Sequence, residues 1–156
     1  MTLNEIYDGI RDYIDRNLKR YLDPINDVTT PMFKSILRSS VIDIMGLRVF
    51  PTLMMEYGRV EVERDTTSSD FYYIPITFYC INAGGDSEKL QTLSERYVWA
   101  LKKLFEYDPS LEGLVQDSAI QGYEFSPSLN RQQTFIHVGM LDVTFNVQIA
   151  RNKQEK

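Results

Sequence analysis

Cysteine, histidine and long apolar runs are scarce in this chain. Its single cysteine, Cys80, has no second thiol to pair with, so an intrachain disulfide is excluded. The apolar run from Ile76 to Ile81 predicts a buried, unreactive Cys80. One histidine, His137, does not supply the ligand sets that zinc sites use. No stretch approaches about 18 consecutive apolar residues, which excludes a transmembrane helix, and we expect no membrane partner.

Basic residues are also few. The chain has 17 Lys and Arg against 22 Asp and Glu, a formal charge of −5. The basic residues are scattered, which argues against a surface that wraps nucleic acid by neutralising its phosphates. The ten tyrosines stand out among the aromatic residues, and tyrosine suits both cores and wet protein interfaces. At 156 residues we expect a single domain, 1–156.

The first 46 residues are predicted to be a helical N-terminal segment. Thr2 and Glu5 form a capping box, and apolar residues recur at helical spacing from Leu3 to Tyr21. Residues 23–30 carry turn formers and predict a loop. Pro31 then suits the first turn of a second helix, which we expect to end at Gly46.

Residues 47–150 are predicted to form a sheet interrupted by one long helix. The alternation of apolar residues shifts phase at Gly58-Arg59, which is how a β-bulge appears in sequence. Phe71–Ile81 is a strand whose Pro75 requires an open edge or a bulge, and it follows the polar loop Arg64–Asp70. A helix at about 87–107, capped by Asp86 or Ser87, ends before Pro109.

The chain closes with a long β-hairpin, Leu114 to Ala150. Leu141–Ile149 alternates apolar and polar residues, which predicts a strand with one buried face. In Thr134–Met140 the apolar Ile136 and Val138 have the opposite phase, so we expect that part to leave the body as an arm. Residues 151–156 are expected to be a disordered tail. The order of elements predicts an α+β fold, with helices on one face of a mainly antiparallel sheet.

Candidate chemistry is sparse. His137 has the inward phase of its strand, which favours a structural role, and Gly84-Gly85 lacks the pattern of a phosphate-binding loop. Glu61 and Glu63 share one strand face near Asp65 and Asp70, so a two-carboxylate magnesium site is conceivable. The flanking Val60 and Val62 explain the glutamates better, as the solvent face of a strand. We therefore predict no catalytic residue, no metal and no cofactor, and a protein that is not an enzyme.

Exposed strand edges and a projecting hairpin are instead typical of an assembly protein. We predict an oligomer interface on the hairpin, formed by Tyr123, Phe125, Arg131, Ile136, Val138 and Met140.

The order of elements resembles the tail terminator (tail completion) proteins of long-tailed bacteriophages. The features that carry the resemblance are the N-terminal amphipathic helix, Phe50-Pro51-Thr52-Leu53, the strand Tyr72–Ile81, the helix Glu88–Phe105 and the turn Asp108-Pro109-Ser110-Leu111-Glu112-Gly113-Leu114-Val115. The resemblance implies a virion protein of the tail or neck, assembled in the host cytoplasm. It implies a homo-oligomeric ring, typically a hexamer, that caps the tail tube protein, terminates tail growth and presents a surface to the head completion or neck protein.

Two further expectations concern the ring. The polar loops Arg64–Asp70 and Ser126–Gln133 are expected to contact tube or head. DNA would pass through the channel without specific binding, and an acidic lining would repel its phosphates.

Two other functions stay open at this point. The first is another neck protein, a head completion or stopper protein. The second, from a different class, is a small metal-dependent nuclease or hydrolase that uses Glu61, Glu63 and Asp70.

Overall fold

The computed structural model describes residues 1–22, 30–38 and 46–151. The elements within these ranges are, in chain order, α1 (Leu3–Asn17), α2 (Lys19–Leu22), β1 (Ser35–Arg38), β2 (Thr52–Tyr57), β3 (Glu61–Arg64), β4 (Ser69–Gly84), α3 (Ser87–Tyr107), β5 (Asp117–Phe125), β6 (Leu129–Arg131) and β7 (Thr134–Ala150).

The strands of the described residues join in one seven-stranded sheet. Its main path runs β1-β2-β4-β7-β5, while β3 pairs with β4 and β6 pairs with β7. The β1–β2 pair is parallel and the other pairs are antiparallel. The predicted α+β class with a mainly antiparallel sheet is therefore confirmed.

The main core lies between one face of the sheet and the helices α1 and α3. In β7 the odd positions from Leu141 to Ile149 are buried in it, so the predicted alternation is confirmed. Phe78, Phe105 and Phe145 meet at its centre with ring centroids 5.3 to 6.2 Å apart, in the tilted and edge-on arrangements that aromatic rings prefer.

Both long helices begin where their capping residues predict. The Thr2 hydroxyl accepts a hydrogen bond from the backbone N–H of Glu5 at 3.2 Å, which opens α1. The Asp86 carboxylate accepts from the N–H groups of Glu88 and Lys89, which opens α3. Each cap satisfies donors that the first helical turn leaves unpaired. The bounds of α3 confirm the predicted helix at about 87–107.

The second predicted helix is wrong where it can be compared. Ser35–Arg38 is the strand β1, which pairs in parallel with Thr52–Met55. Helical spacing of the apolar residues is overridden by contacts distant in sequence, since Phe33 stacks on Tyr97 and the Tyr97 hydroxyl donates to the Pro31 carbonyl at 2.6 Å. The rest of that predicted helix, 39–45, and most of the predicted loop, 23–29, lie outside the described residues.

The phase shift at Gly58 corresponds to the predicted bulge. Tyr57 pairs with Ile76 and Glu61 pairs with Tyr73, so residues 58–60 of one strand face only positions 74 and 75 of the other. The Gly58 N–H donates to the Pro75 carbonyl at 2.9 Å. A Cβ at Gly58 would lie 2.9 Å from Pro75 Cγ, which explains the glycine at this close approach.

The predicted arm, Thr134–Met140, is part of the body of the protein. Its residues 135–140 pair with Tyr79–Gly84 in β4, and Ile136 and Val138 are 0% and 2% exposed. Both phases of this stretch are buried because the sheet is covered on both faces here. The face opposite the main core holds a second apolar cluster, formed by Met54, Ile81, Ile136 and Val138 with Leu47, Phe50, Tyr79, Ala83 and Met140 around them.

The last described residue is fixed to the sheet. The Arg151 guanidinium binds the Asp70 carboxylate at 2.9 Å and donates to backbone carbonyls of the loop before β4. Arg151 is therefore not part of a tail, and the other residues of the predicted disordered tail, 152–156, lie outside the described ranges.

Candidate functional site

The six predicted interface residues do not form one surface. Ile136 and Val138 are buried in the second apolar cluster, and Met140 lies half-buried on the same face. Tyr123 and Phe125 lie on the opposite, helix-covered side of the sheet, because they pair with Leu141 and Gly139 on the row that faces the main core. The structure thus brings together Tyr123 and Phe125, whose ring centroids are 6.1 Å apart.

Arg131 has an intramolecular role. Its guanidinium donates to the Leu47 carbonyl at 2.7 Å and lies over the Phe50 ring, 5.5 Å from the centroid. A cation above an aromatic face is favourable, and the hydrogen bond adds to it. Arg131 therefore holds the segment before β2 over the second cluster.

An aromatic groove lies between α3 and β5. Its volume is about 340 Å³, and it is lined by Glu95, Val98, Trp99, Lys102, Tyr123 and Phe125. Trp99, Tyr123 and Phe125 are 42%, 58% and 37% exposed, which is unusual for three neighbouring large aromatic side chains. Lys103 extends over the Trp99 ring. Trp99 was not identified from the sequence. Its position outside the buried stripe of an amphipathic helix could have indicated an exposed aromatic contact.

A buried polar network supports the wall of this groove. The Asn82 amide donates to the Ser94 hydroxyl at 3.2 Å, and the Ser94 oxygen lies 2.7 Å from His137 Nδ1. These three side chains are at most 3% exposed, and the His137 ring stacks beside Phe125. Burial lowers the pKa of His137, although the charge of Glu95 acts in the opposite direction. The site is a structural link between β4, β7 and α3, with a neutral imidazole at neutral pH.

The outer strands of the sheet differ in how much edge they expose. Within the described ranges, β5 pairs only with β7 and β1 pairs only with β2. Every residue of β3 is exposed and three of its four side chains are charged, which protects that edge against further pairing. β5 is nine residues long and carries just two charged side chains, Asp117 and Glu124. Its pairing with β7 shifts register between Ile120 and Gly122, and it is still the longest exposed edge among the described strands.

The sheet face opposite the helices carries most of the strand carboxylates. Cross-strand pairing places Glu56, Glu61, Glu63, Asp117, Glu124 and Asp142 on this acidic face. The Thr77 hydroxyl donates to Asp142 at 2.6 Å, and the Tyr73 hydroxyl donates to Glu63 at 3.2 Å. Burial, a hydrogen bond to Glu56 and the nearby carboxylates raise the pKa of Tyr79 to about 12.

The carboxylates of the conceivable magnesium site do not converge. Glu61 and Glu63 point away from the helices, whereas Asp70 lies at the opposite phase and is bound by Arg151. The described residues hold no group of three His, Cys, Asp or Glu side chains arranged to bind a metal.

No family model matches the chain, and the search of curated proteins gave no match. None of the described helices is long and apolar enough to cross a membrane.

Proposed function

We propose that this chain is a non-enzymatic assembly protein whose copies join into a ring. The observation that carries the proposal is the aromatic groove beside β5, where three exposed aromatic side chains border a long strand edge. Exposed apolar patches of this kind mark protein contacts, and aromatic residues dominate the binding energy of interfaces.

Within that class, we propose a tail terminator of a long-tailed phage. The ring, with six copies, would cap the tail tube protein, end tail growth and join the tail to a neck protein of the head. The support is the resemblance in the order of elements, together with the turn after α3. There Asp108 accepts hydrogen bonds from Tyr13, Ser110 and the N–H of Glu112, which ties the turn to α1.

The acidic face suits the lining of the ring channel. Six carboxylates on one sheet face, repeated around a ring, would create a negative potential along the path of the DNA. Phosphates would be repelled from the wall, so the genome would slide without binding. The protein would belong to the virion, after assembly in the host cytoplasm.

The test is assembly of the purified chain. We expect sedimentation velocity and negative-stain microscopy to reveal rings, alone or on tail tubes made without a terminator, and bound rings to stop further tube growth. Tyr123→Glu should weaken self-association at least about ten-fold, because it places a charge in the groove. Tyr107→Glu is the matched control, since Tyr107 is exposed at the end of α3, away from the groove.

Other outcomes would contradict the proposal. A chain that stays monomeric at high concentration and does not bind tubes is not a terminator. Binding to DNA-filled heads in place of tubes would identify a head completion or stopper protein. Magnesium-dependent DNA cleavage that is lost on Glu61→Ala with Glu63→Ala would identify a nuclease.

A further inference from the structure

The two ends of the sheet path have compatible strand directions. β1 runs parallel to β2, and the antiparallel pairs β2–β4, β4–β7 and β7–β5 then make β5 antiparallel to β1. If one copy follows another with the helices on the same side, β5 of the first meets β1 of the second as an antiparallel pair. Antiparallel strand pairs are more common than parallel pairs and slightly more stable per residue.

Charge distinguishes β1 from β3 as a pairing partner for β5. The edge strand β5 carries Asp117 and Glu124, and β3 carries two glutamates and one arginine. The region of β1 carries the basic Lys34 and Arg38, although Arg38 already binds Asp8 of its own chain. Acidic β5 is therefore complementary to β1, whereas like charges oppose its pairing with β3.

Charged residues on the helices beside β1 and β5 are also complementary. A shallow groove of about 220 Å³ borders β1 and is lined on the α1 side by Arg11, Asp12 and Asp15. The aromatic groove beside β5 is bordered by Lys102, with Lys103 over Trp99. Pairing of the two strands with their helix-covered faces aligned would bring these lysines towards Asp12 and Asp15, although Lys102 already binds Glu106 of its own chain.

The apolar side chains also match by face. Ile36 lies on the helix-covered side of β1, as Tyr123 and Phe125 do on β5. Leu37 lies on the other face and is 37% exposed. Placing Ile36 opposite Tyr123 sets Leu37 opposite Gly122, where a side chain would meet nothing within 4 Å. A shift by two residues sets Leu37 opposite Glu124 and preserves the faces.

We propose that β5 of one copy pairs antiparallel with β1 of the next, head to tail, so that the sheet continues through the assembly. The proposal rests on the ring function proposed above and names its contact. Such a heterologous contact closes into a ring when the rotation between copies is right.

Cysteine cross-linking tests the contact. Leu37→Cys is mixed with Gly122→Cys, and separately with Glu124→Cys, and each mixture of full-length chains is oxidised mildly at high concentration. Opposed strand residues are within disulfide reach, and the native Cys80 is buried. We expect most of the protein to form disulfide-linked dimers in at least one mixture. The matched control, Glu63→Cys mixed with Glu124→Cys, should give at least ten-fold less.

Three results would overturn the proposed contact. Cross-linking of Glu124→Cys or Gly122→Cys alone would reveal a symmetric β5–β5 contact. Predominant cross-linking in the control would assign the contact to β3. Rings without cross-links in either Leu37→Cys mixture would refute this contact and leave the proposed ring function intact. Cross-links in chains that never close into rings would support the contact and refute the ring.

Discussion

At the scale of single residues, the buried network of Asn82, Ser94 and His137 is sensitive to pH. The Ser94 hydroxyl already accepts from Asn82, so its own hydrogen is free to be donated to Nδ1 of a neutral His137. Protonation of His137 would reverse that bond inside a buried site. A charged imidazole is also costly there, which is why its pKa is lowered.

This network predicts acid sensitivity. The unfolded chain has a histidine pKa of about 6.5 and the folded chain a lower one, so the unfolded state binds more protons between the two. The free energy of unfolding should therefore fall as the pH drops below about 6.5, by at most about 1.4 kcal/mol per pH unit for one proton. Urea unfolding at pH 7.5, 6.5 and 5.5 measures this slope. His137→Gln should flatten it, and an unchanged slope would rule out His137 as the cause.

The residues of the groove were only partly predictable. The predicted hairpin interface included Tyr123 and Phe125, which do line the groove. It also grouped them with Ile136 and Val138, since the sequence does not reveal that a distant segment covers the second face. Trp99 joins the groove from α3, and no local pattern relates a helix residue to a strand about 20 residues later.

At the scale of elements, β7 is a core strand along its whole length. It pairs with β4 from Phe135 to Ala150, and its early part packs under the segment held by Arg131. The segment predicted to be an arm, Thr134–Met140, thus contributes Ile136 and Val138 to the second apolar cluster.

A charged residue in that cluster should unfold the protein. Val138→Asp is expected to lower the free energy of unfolding by more than about 3 kcal/mol, because Val138 is 2% exposed and an aspartate there is desolvated. Val62→Asp, at a strand residue that is 55% exposed, is the control and should change it by less than about 0.5 kcal/mol. Chemical denaturation compares the two. A folded, stable Val138→Asp variant would indicate that the segment detaches from the body.

Elements with strong local signals were predicted well, and the others were not. The caps at Thr2 and Asp86 and the stripe of α3 are local features, and the structure confirms both helices. Ser35–Arg38 has helical spacing but lies in the sheet, where pairing with β2 and the contact of Phe33 with Tyr97 outweigh its weak helix propensity.

At the scale of the whole molecule, charge is divided between the two sides of the sheet. The acidic face is open beside the second apolar cluster, while the helix side carries lysines beside the aromatic groove. A ring built from such units would present one sign of charge to its channel when the acidic face points inward.

Reversing charges on that face should create DNA binding. Glu61→Lys with Glu63→Lys is expected to give salt-sensitive retention of double-stranded DNA in a gel-shift assay, because clustered lysines release counterions from phosphates. Glu88→Lys with Glu112→Lys makes the same change in net charge on other exposed sites and should retain far less DNA. Equal retention by both variants would show that net charge, not this face, governs DNA binding.

The burial of β7 on both faces also has a consequence for folding fidelity. A slip of β7 by one residue against β4 would turn the row from Leu141 to Ile149 out to water, and it would turn Ile136 and Val138 away from their own cover at the same time. The slip would expose apolar surface on both sides of the sheet, so both halves of β7 oppose the same shift in register. Misregistered chains should therefore be rare at equilibrium, and those that form would be prone to aggregate.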